Sequence, residues 1–359
     1  KNMGLKKSEH IGKIMIDPRN TDVVYVASQG PAWGPGGERG LYKTTDGGEN
    51  WELVLDTGNE YTGASDMEMD PRNPDILYVS THQRERRVWS KINGGPHSAI
   101  YKSTDAGKTW RKLKRGLPGG EVGRIGLTMS PANPDVLYAV IELPGSTGGF
   151  YRSDDMGESW SRKSDMVAGS PQYYNELYAD NVDENRVVSM DVYNRVTNDG
   201  GVTWSALGER NKHVDNHAMW QDPNDPRHYI MGCDGGMYKS WDMGATWIFK
   251  SNLPITQFYH VRVDNDYPFY NLYGGAQDNG SWYGPSKTHR GYMTNNDYTY
   301  TIGGDGYLST PDPTNPAISY HESQYCGLRR YDENTGTSVS IKPQPKDDVT
   351  LKFNWNTPY

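Results

Sequence analysis

Apolar runs of strand length alternate with turns rich in Pro, Asn and Asp along the whole chain. The clearest examples are Ile16 to Val26, Met69 to Val79 and Met129 to Ala139; each is an apolar run, a Pro/Asn/Asp turn and a β-branched run. That order predicts two antiparallel strands and their hairpin. Looser copies begin at Ala179, Gln221, Val263 and Thr310. Downstream of most copies stands another short strand: Gly40 to Lys43, Ala99 to Lys102, Gly149 to Arg152 and Gly236 to Lys239.

These strands run into a repeated turn, Ser/Thr-x-Asp-x-Gly-x-x-Trp. Its five copies are Thr44 to Trp51, Ser103 to Trp110, Ser153 to Trp160, Thr197 to Trp204 and Ser240 to Trp247. Asp can accept hydrogen bonds from the turn's own amides. The Gly permits a positive φ. The Trp opens a fourth strand and offers apolar surface to the neighbouring unit. The copies recur at a period of 43–59 residues, which marks one supersecondary unit used repeatedly. Four-stranded units at that period predict an all-β fold, a β-propeller of about seven blades. The units start near His10, Thr62, Val122, Tyr173, His213, Gln257 and Gly304, and the last two lack the turn.

The repeat also divides the chain. Residues 1–251 are expected to hold five blades carrying the turn, preceded by a partial strand. Residues 252–343 hold two further blades and could begin a second propeller. Residues 344–359 start another blade or form a tail. Lys1 to Leu5 matches the residues just after the Trp in other units, so it reads as a last strand whose own turn is missing, or as the strand that closes the ring. The chain reads as an internal piece of a longer protein.

Composition narrows the partners. Net charge is −8, and no basic stripe occurs, which argues against nucleic acid. There is no run of 18 apolar residues, hence no helical membrane span. Cys233 and Cys326 are too few for a disulfide framework.

The five turns match the Asp-box (BNR) pattern. The chain also resembles sortilin-like BNR-repeat proteins of bacteria, often labelled glycosyl hydrolases. That resemblance is carried by Glu9 to Ile14, Arg39 to Lys43, Gly94 to Pro96, His213 to His217, Asp234 to Gly236, Gln257 to Tyr259, Gly274 to Gly280, Gly303 to Gly306 and Asn354 to Pro358. It implies an extracytoplasmic protein, with further blades of the same polypeptide on either side. Two hydrolase families can be tested on residues. Xyloglucan-cleaving tandem propellers use one Asp from each propeller, but Ser28 and Gln29 stand at the matching place in the first unit. Sialidases need an arginine cluster on inner strands; Arg124 is one such residue, and no triad is evident.

In a propeller, the starts of first strands and ends of second strands share one face, where ligand chemistry belongs. His213, Asp215 and His217 alternate there, so on a straight strand their side chains would share one side. One reading is a divalent metal site; the others are a satisfied polar network or a His–Asp acid/base pair. Otherwise no cofactor is expected. Gln257, Tyr259, Gln277, Asp278, Asn279 and Trp89 complete the ligand-binding candidates, and Trp33, Trp220 and Trp282 could line the same face. Asp215, Asp234, Asp278 and Asp305 are the carboxylates available for glycoside hydrolysis, with no pair singled out. The leading expectation is a propeller that binds a glycan or a peptide or protein ligand, without evident catalysis. The alternatives are a glycoside hydrolase with its cleft between two propellers, and a scaffold subunit of a cell-surface assembly.

Overall fold

A computed structural model describes residues 1–253, 255–346 and 349–359. Part of the expected 252–343 and 344–359 segments, residues 254, 347 and 348, thus lies outside the described residues. The chain forms two compact units: residues 1–233 with 237–250, and residues 234–236 with 251–359. The fold is all-β, and among the described residues no helix is long and apolar enough to cross a membrane.

Among the described residues the strands assemble into seven four-stranded antiparallel sheets, with one extra two-stranded ribbon. Their first strands are Ile11–Ile16, Thr62–Met69, Ile125–Met129, Leu177–Ala179, Asn216–Gln221, Phe258–Val263 and Ser309–Pro311. Six sheets are simple meanders. In the second, the ribbon Glu85–Arg86 with Lys91–Ile92 is inserted between the second and third strands. Sheets of this kind, laid one upon the next, are the construction units of a β-propeller.

In the first unit, apolar side chains form one layer between each pair of successive sheets. Tyr25, Leu41, Met67 and Leu77 belong to the layer between the first two sheets, and Tyr78, Leu127 and Trp160 to the next. The last two layers gather around Tyr138 and Phe150, and around Tyr229 and Trp247. The first strands of neighbouring sheets approach at backbone distance. A Cβ on Gly126 would stand 1.6 Å from the Asn175 carbonyl oxygen, so only glycine fits there.

The five turns share one hydrogen-bond network. In the second copy, Ser103 Oγ donates to Asp105 Oδ1 at 2.8 Å and accepts the Gly107 amide at 2.9 Å. Asp105 in turn accepts the Thr109 amide at 2.9 Å and the Thr109 hydroxyl at 2.6 Å. The same donors recur around Asp46, Asp155, Asp199 and Asp242. Hydrogen bonds from the residue four places on, then from the turn's Ser or Thr, hold Asp46, Asp105 and Asp199 at about 2. The turns also tie sheets together. Tyr25 and Tyr78 donate to the carbonyls of Ala106 and Met156 in the next turn, at 3.1 and 2.7 Å. Trp110 Nε1 donates back to Val54 O at 2.8 Å.

Two expected strands at the chain ends are not formed. Positive φ at Gly4 (114°) and Leu5 (49°) breaks the extension of residues 1–5, and Met3 O instead accepts the Trp51 indole at 2.7 Å. Residues 351–358 are likewise not a strand, because Trp355 folds back to donate to Asp305 Oδ2 at 2.9 Å.

Candidate functional site

Three of the four candidate carboxylates, Asp234, Asp278 and Asp305, belong to the second unit. In its first sheet the hairpin of the second and third strands, Asn271–Ala276 into Gly280–Pro285, closes through Gln277, Asp278 and Asn279. Asp278 takes a left-handed conformation (φ 59°), which Asp tolerates better than most residues. The hairpin lies on the segment Gly303 to Gly306: Gly280 N donates to Gly304 O at 2.8 Å, and Gly306 N to Ala276 O at 3.0 Å. A Cβ at Gly306 would stand 2.3 Å from Gly280 O, so this contact needs the glycine. Docked in this way, the Asp278 amide donates to Asp305 Oδ1 at 2.9 Å.

Asp305 is buried, 4% exposed. Its Oδ2 accepts from the Tyr307 hydroxyl at 3.0 Å and from the Trp355 indole at 2.9 Å. Burial works against the anion, but the Asp278 amide and these donors outweigh it and hold the carboxyl below its usual range. Asp278 goes the other way. Burial, hydrogen bonds to the Asp305 and Asp234 side chains and their negative charge push its carboxyl up to about 8. One carboxyl is therefore kept as an acid at neutral pH beside another kept as an anion.

Several sequence candidates gather around this pair. Asn279 donates to Asp234 O at 3.1 Å and to Gln277 O at 2.8 Å. Gln257 O accepts the Gln277 amide at 3.2 Å. Tyr259 stacks on Tyr307 with centroids 4.8 Å apart. Asp215 belongs to the other compact unit.

The His213–Asp215–His217 expectation is corrected. Asp215 has φ 63°, and the strand starts only at Asn216, so the alternation that would align the three side chains does not hold. The register shifts between Asn216 and Ala218, which puts His217 in a bulge. His213 Nδ1 contacts Val214 O at 2.9 Å, Asp215 Oδ1 accepts the Tyr174 hydroxyl at 2.6 Å, and His217 stacks on the Tyr174 ring at 5.1 Å. Among the described residues no group of three or more His, Cys, Asp or Glu side chains is arranged to hold a metal ion. Asp215 and His217 thus meet at Tyr174, while His213 turns to Val214 O. Trp89 stands 80% exposed between the two strands of the ribbon.

Sequence reasoning missed Tyr307 and Trp355, the donors that hold Asp305. Trp355 lies 50 residues downstream, and its only signal is the resemblance motif around it. The sequence places Arg84, Arg86 and Arg124 at strand ends on the ligand face, but does not bring them together. They lie on or beside different strands, yet Arg84 feels the charge of both others, and Arg84 and Arg124 lie beside buried His82.

No family model matches the chain. Curated relatives share limited similarity. A xyloglucanase of Paenibacillus sp is 28% identical over 147 residues, covering 38% of this chain and 13% of the relative. Xyloglucanase Xgh74A of Acetivibrio thermocellus is 25% identical over 278 residues, 65% of this chain and 31% of the relative. The chain spans less than a third of the length of these relatives. Among solved structures, an ancestral GH74 enzyme aligns at a TM-score of 0.43 with 12% identity, covering 90% of this chain and 62% of that one. YCF48 from Cyanidioschyzon merolae aligns at 0.47 with 14% identity, covering 93% and 96%.

Proposed function

We propose that the chain is part of a secreted or cell-surface glycoside hydrolase that acts on a branched β-glucan, with Asp278 as the general acid. The observation that carries this is the Asp278 carboxyl, docked on buried Asp305 and raised above the ordinary carboxylate range by burial and by its carboxylate neighbours. A carboxyl that keeps its proton at neutral pH can deliver it to a glycosidic oxygen as the C–O bond breaks. The similarity to xyloglucanases supports the same reading. Asp305 is hydrogen-bonded to Asp278, whereas the two catalytic carboxyls of a glycosidase stand about 5–9.5 Å apart. Asp305 is therefore a positioning residue. The second carboxylate, which takes a proton from the attacking water, comes from another part of the polypeptide.

In this reading residues 1–251 are five blades with Asp-box turns, and 252–343 are two blades of a further propeller that 344–359 leads out of. The test is release of reducing ends from xyloglucan and unbranched β-glucans by the full-length polypeptide. Asp278→Asn should lower kcat by at least about 100-fold. Undiminished turnover in that variant would sink the assignment.

Binding without catalysis, to a glycan or a peptide, is the second reading. It is favoured by Arg86 of the first unit, whose guanidinium lies 5.4 Å from the Trp33 ring and 5.9 Å from the Tyr173 ring.

A further inference from the structure

The first compact unit gathers four arginines, Arg39, Arg84, Arg86 and Arg124. Arg39 and Arg84 both pack on Gly30: a Cβ there would touch the Arg39 side chain at 2.4 Å, and Gly30 O accepts from Arg84 Nη2 at 3.3 Å. Arg86 and Arg124 meet across the segment Pro171 to Tyr173. Arg86 Nη2 donates to the Tyr173 hydroxyl at 2.9 Å, while Arg124 Nη1 donates to the carbonyls of Pro171 and Gln172 at 3.2 and 3.3 Å.

Arg39 is spent on the loop it closes, where its guanidinium caps the carbonyls of Gly36, Gln29, Pro31 and Gly34. Among the described residues only Arg124 of the four is ion-paired, to Glu176. Arg84 makes one long hydrogen bond, and its Nε is buried without a partner. His82 beside it is 3% exposed and faces Asn93.

Buried donors without acceptors are costly to a fold and uncommon. A partly buried guanidinium among three others adds repulsion, which Glu176 on Arg124 offsets only in part. Burial and then the charges of Arg39, Arg124 and Arg86 push Arg84 down to about 10. Burial and then Arg124 and Arg84 push His82 down to about 3, so its imidazole is neutral. The planar fork of Arg matches a carboxylate two bonds at a time. The rings flanking Arg86 remain open, Trp33 at 60% and Tyr173 at 47% exposure, so an anionic group at Arg84 could carry a ring-bearing body across them.

We propose that Arg84, Arg86 and Arg124 form a carboxylate-binding site, and that its ligand is an acidic sugar unit of a polysaccharide lying over Trp33 and Tyr173. The choice of a sugar acid over a peptide carboxylate rests on the polysaccharide reading above; the anion site itself does not.

The experiment is calorimetric titration of the full chain with trigalacturonate, with its carboxyl-reduced neutral analogue and with a short peptide bearing a free C-terminal carboxylate. Trigalacturonate should bind, weaken as salt is raised, and lose about tenfold or more in affinity in Arg84→Gln. The neutral analogue should not bind. Arg84→Gln should melt no lower than the wild type, because it removes a repulsion. If that variant does not fold, Arg86→Gln and Trp33→Ala at the exposed edge should still weaken binding. Uronate binding that ignores all three substitutions overturns the site, as does its complete absence. Binding of the peptide alone overturns the sugar-acid ligand. Binding is read without turnover, so failure to cleave a β-glucan is a separate outcome.

Discussion

The main-chain amide of Asp278 donates to Asp305 Oδ1 at 2.9 Å, and the two side chains are hydrogen-bonded as well. The Asp278 carboxyl is thus hydrogen-bonded to two others, those of Asp305 and Asp234, and coupled carboxyls titrate together. The left-handed turn at Asp278 and the glycines at 304 and 306 make the contact possible.

Stability should therefore depend on pH through Asp278. Its folded-state carboxyl is raised from the ordinary value of 3.8 to about 8, so the folded chain binds that proton more tightly than the unfolded chain. The contribution is complete below about pH 4 and is lost as pH rises toward 8. Melting temperature should fall across that window in the wild type and much less in Asp278→Asn, which should be the more stable protein at pH 8. Parallel melting curves for the two proteins would falsify the raised Asp278 carboxyl.

Trp355 should matter beyond its surface position, because its indole is one of two side-chain donors to Asp305 Oδ2. Trp355→Phe keeps the ring and removes the N–H. We expect a loss of about 1–2 kcal/mol in chemical denaturation. If Asp278 is the general acid, the alkaline limb of any hydrolytic pH profile should move as well, since Asp305 would hold its charge less firmly. Trp282→Phe is the control: its indole donates to Asn279 O at 2.8 Å and not to a carboxylate.

Much of the fold was legible because the repeat carries its own chemistry. Asp105 with Ser103, Gly107 and Thr109 is a complete turn within seven residues, so a local pattern sufficed. The seven sheets begin within five residues of the positions read from the apolar runs. The site was legible only in part. Asp234, Asp278 and Asp305 stood out as carboxylates next to glycines, but their pairing depends on the hairpin at 276–280 meeting the loop at 303–306. His213, Asp215 and His217 misled because strand alternation was assumed where Asp215 turns left-handed. Arg84 and Arg124 lie 40 positions apart, and no local pattern joins them.

Zinc should have no effect on the His213–His217 segment. Its side chains are engaged with Val214 O and Tyr174. A metal bound only by the folded state would raise its stability in proportion to the logarithm of metal over Kd. We expect a melting temperature unchanged within about one degree at millimolar zinc. A rise abolished by His213→Ala would reinstate the metal centre.

The repeated turns should make the first unit sensitive to acid. Asp46, Asp105 and Asp199 are held at about 2, and Asp155 and Asp242 also lie below their ordinary range. A depressed carboxyl contributes stability above its unfolded value of 3.8 that is lost as pH falls through the folded value. Five in one unit should give a steep loss between about pH 4 and 2. Asp105→Asn should shift that loss toward a shallower slope, read as melting temperature against pH. An unchanged slope would mean the turns do not carry the acid response.

The close approach of first strands gives the sharpest test of the packing. Gly126 faces the Asn175 carbonyl so closely that a Cβ would stand 1.6 Å from the oxygen, and the clash is with backbone that cannot rotate away. Its φ is not in the left-handed region, so the glycine is there for space. Gly126→Ala must push two sheets apart along strands that carry Ile125 and Leu127 into the core. Overpacking of this kind costs about 1–3 kcal/mol where side chains can adjust, and more where backbone must move. Gly119→Ala is the matched control, since nothing lies within 4 Å of its Cβ. Gly126→Ala should lower the melting temperature by several degrees or abolish soluble expression, while Gly119→Ala leaves both unchanged. Equal stability of the two variants would show that these strands do not meet at the distance described.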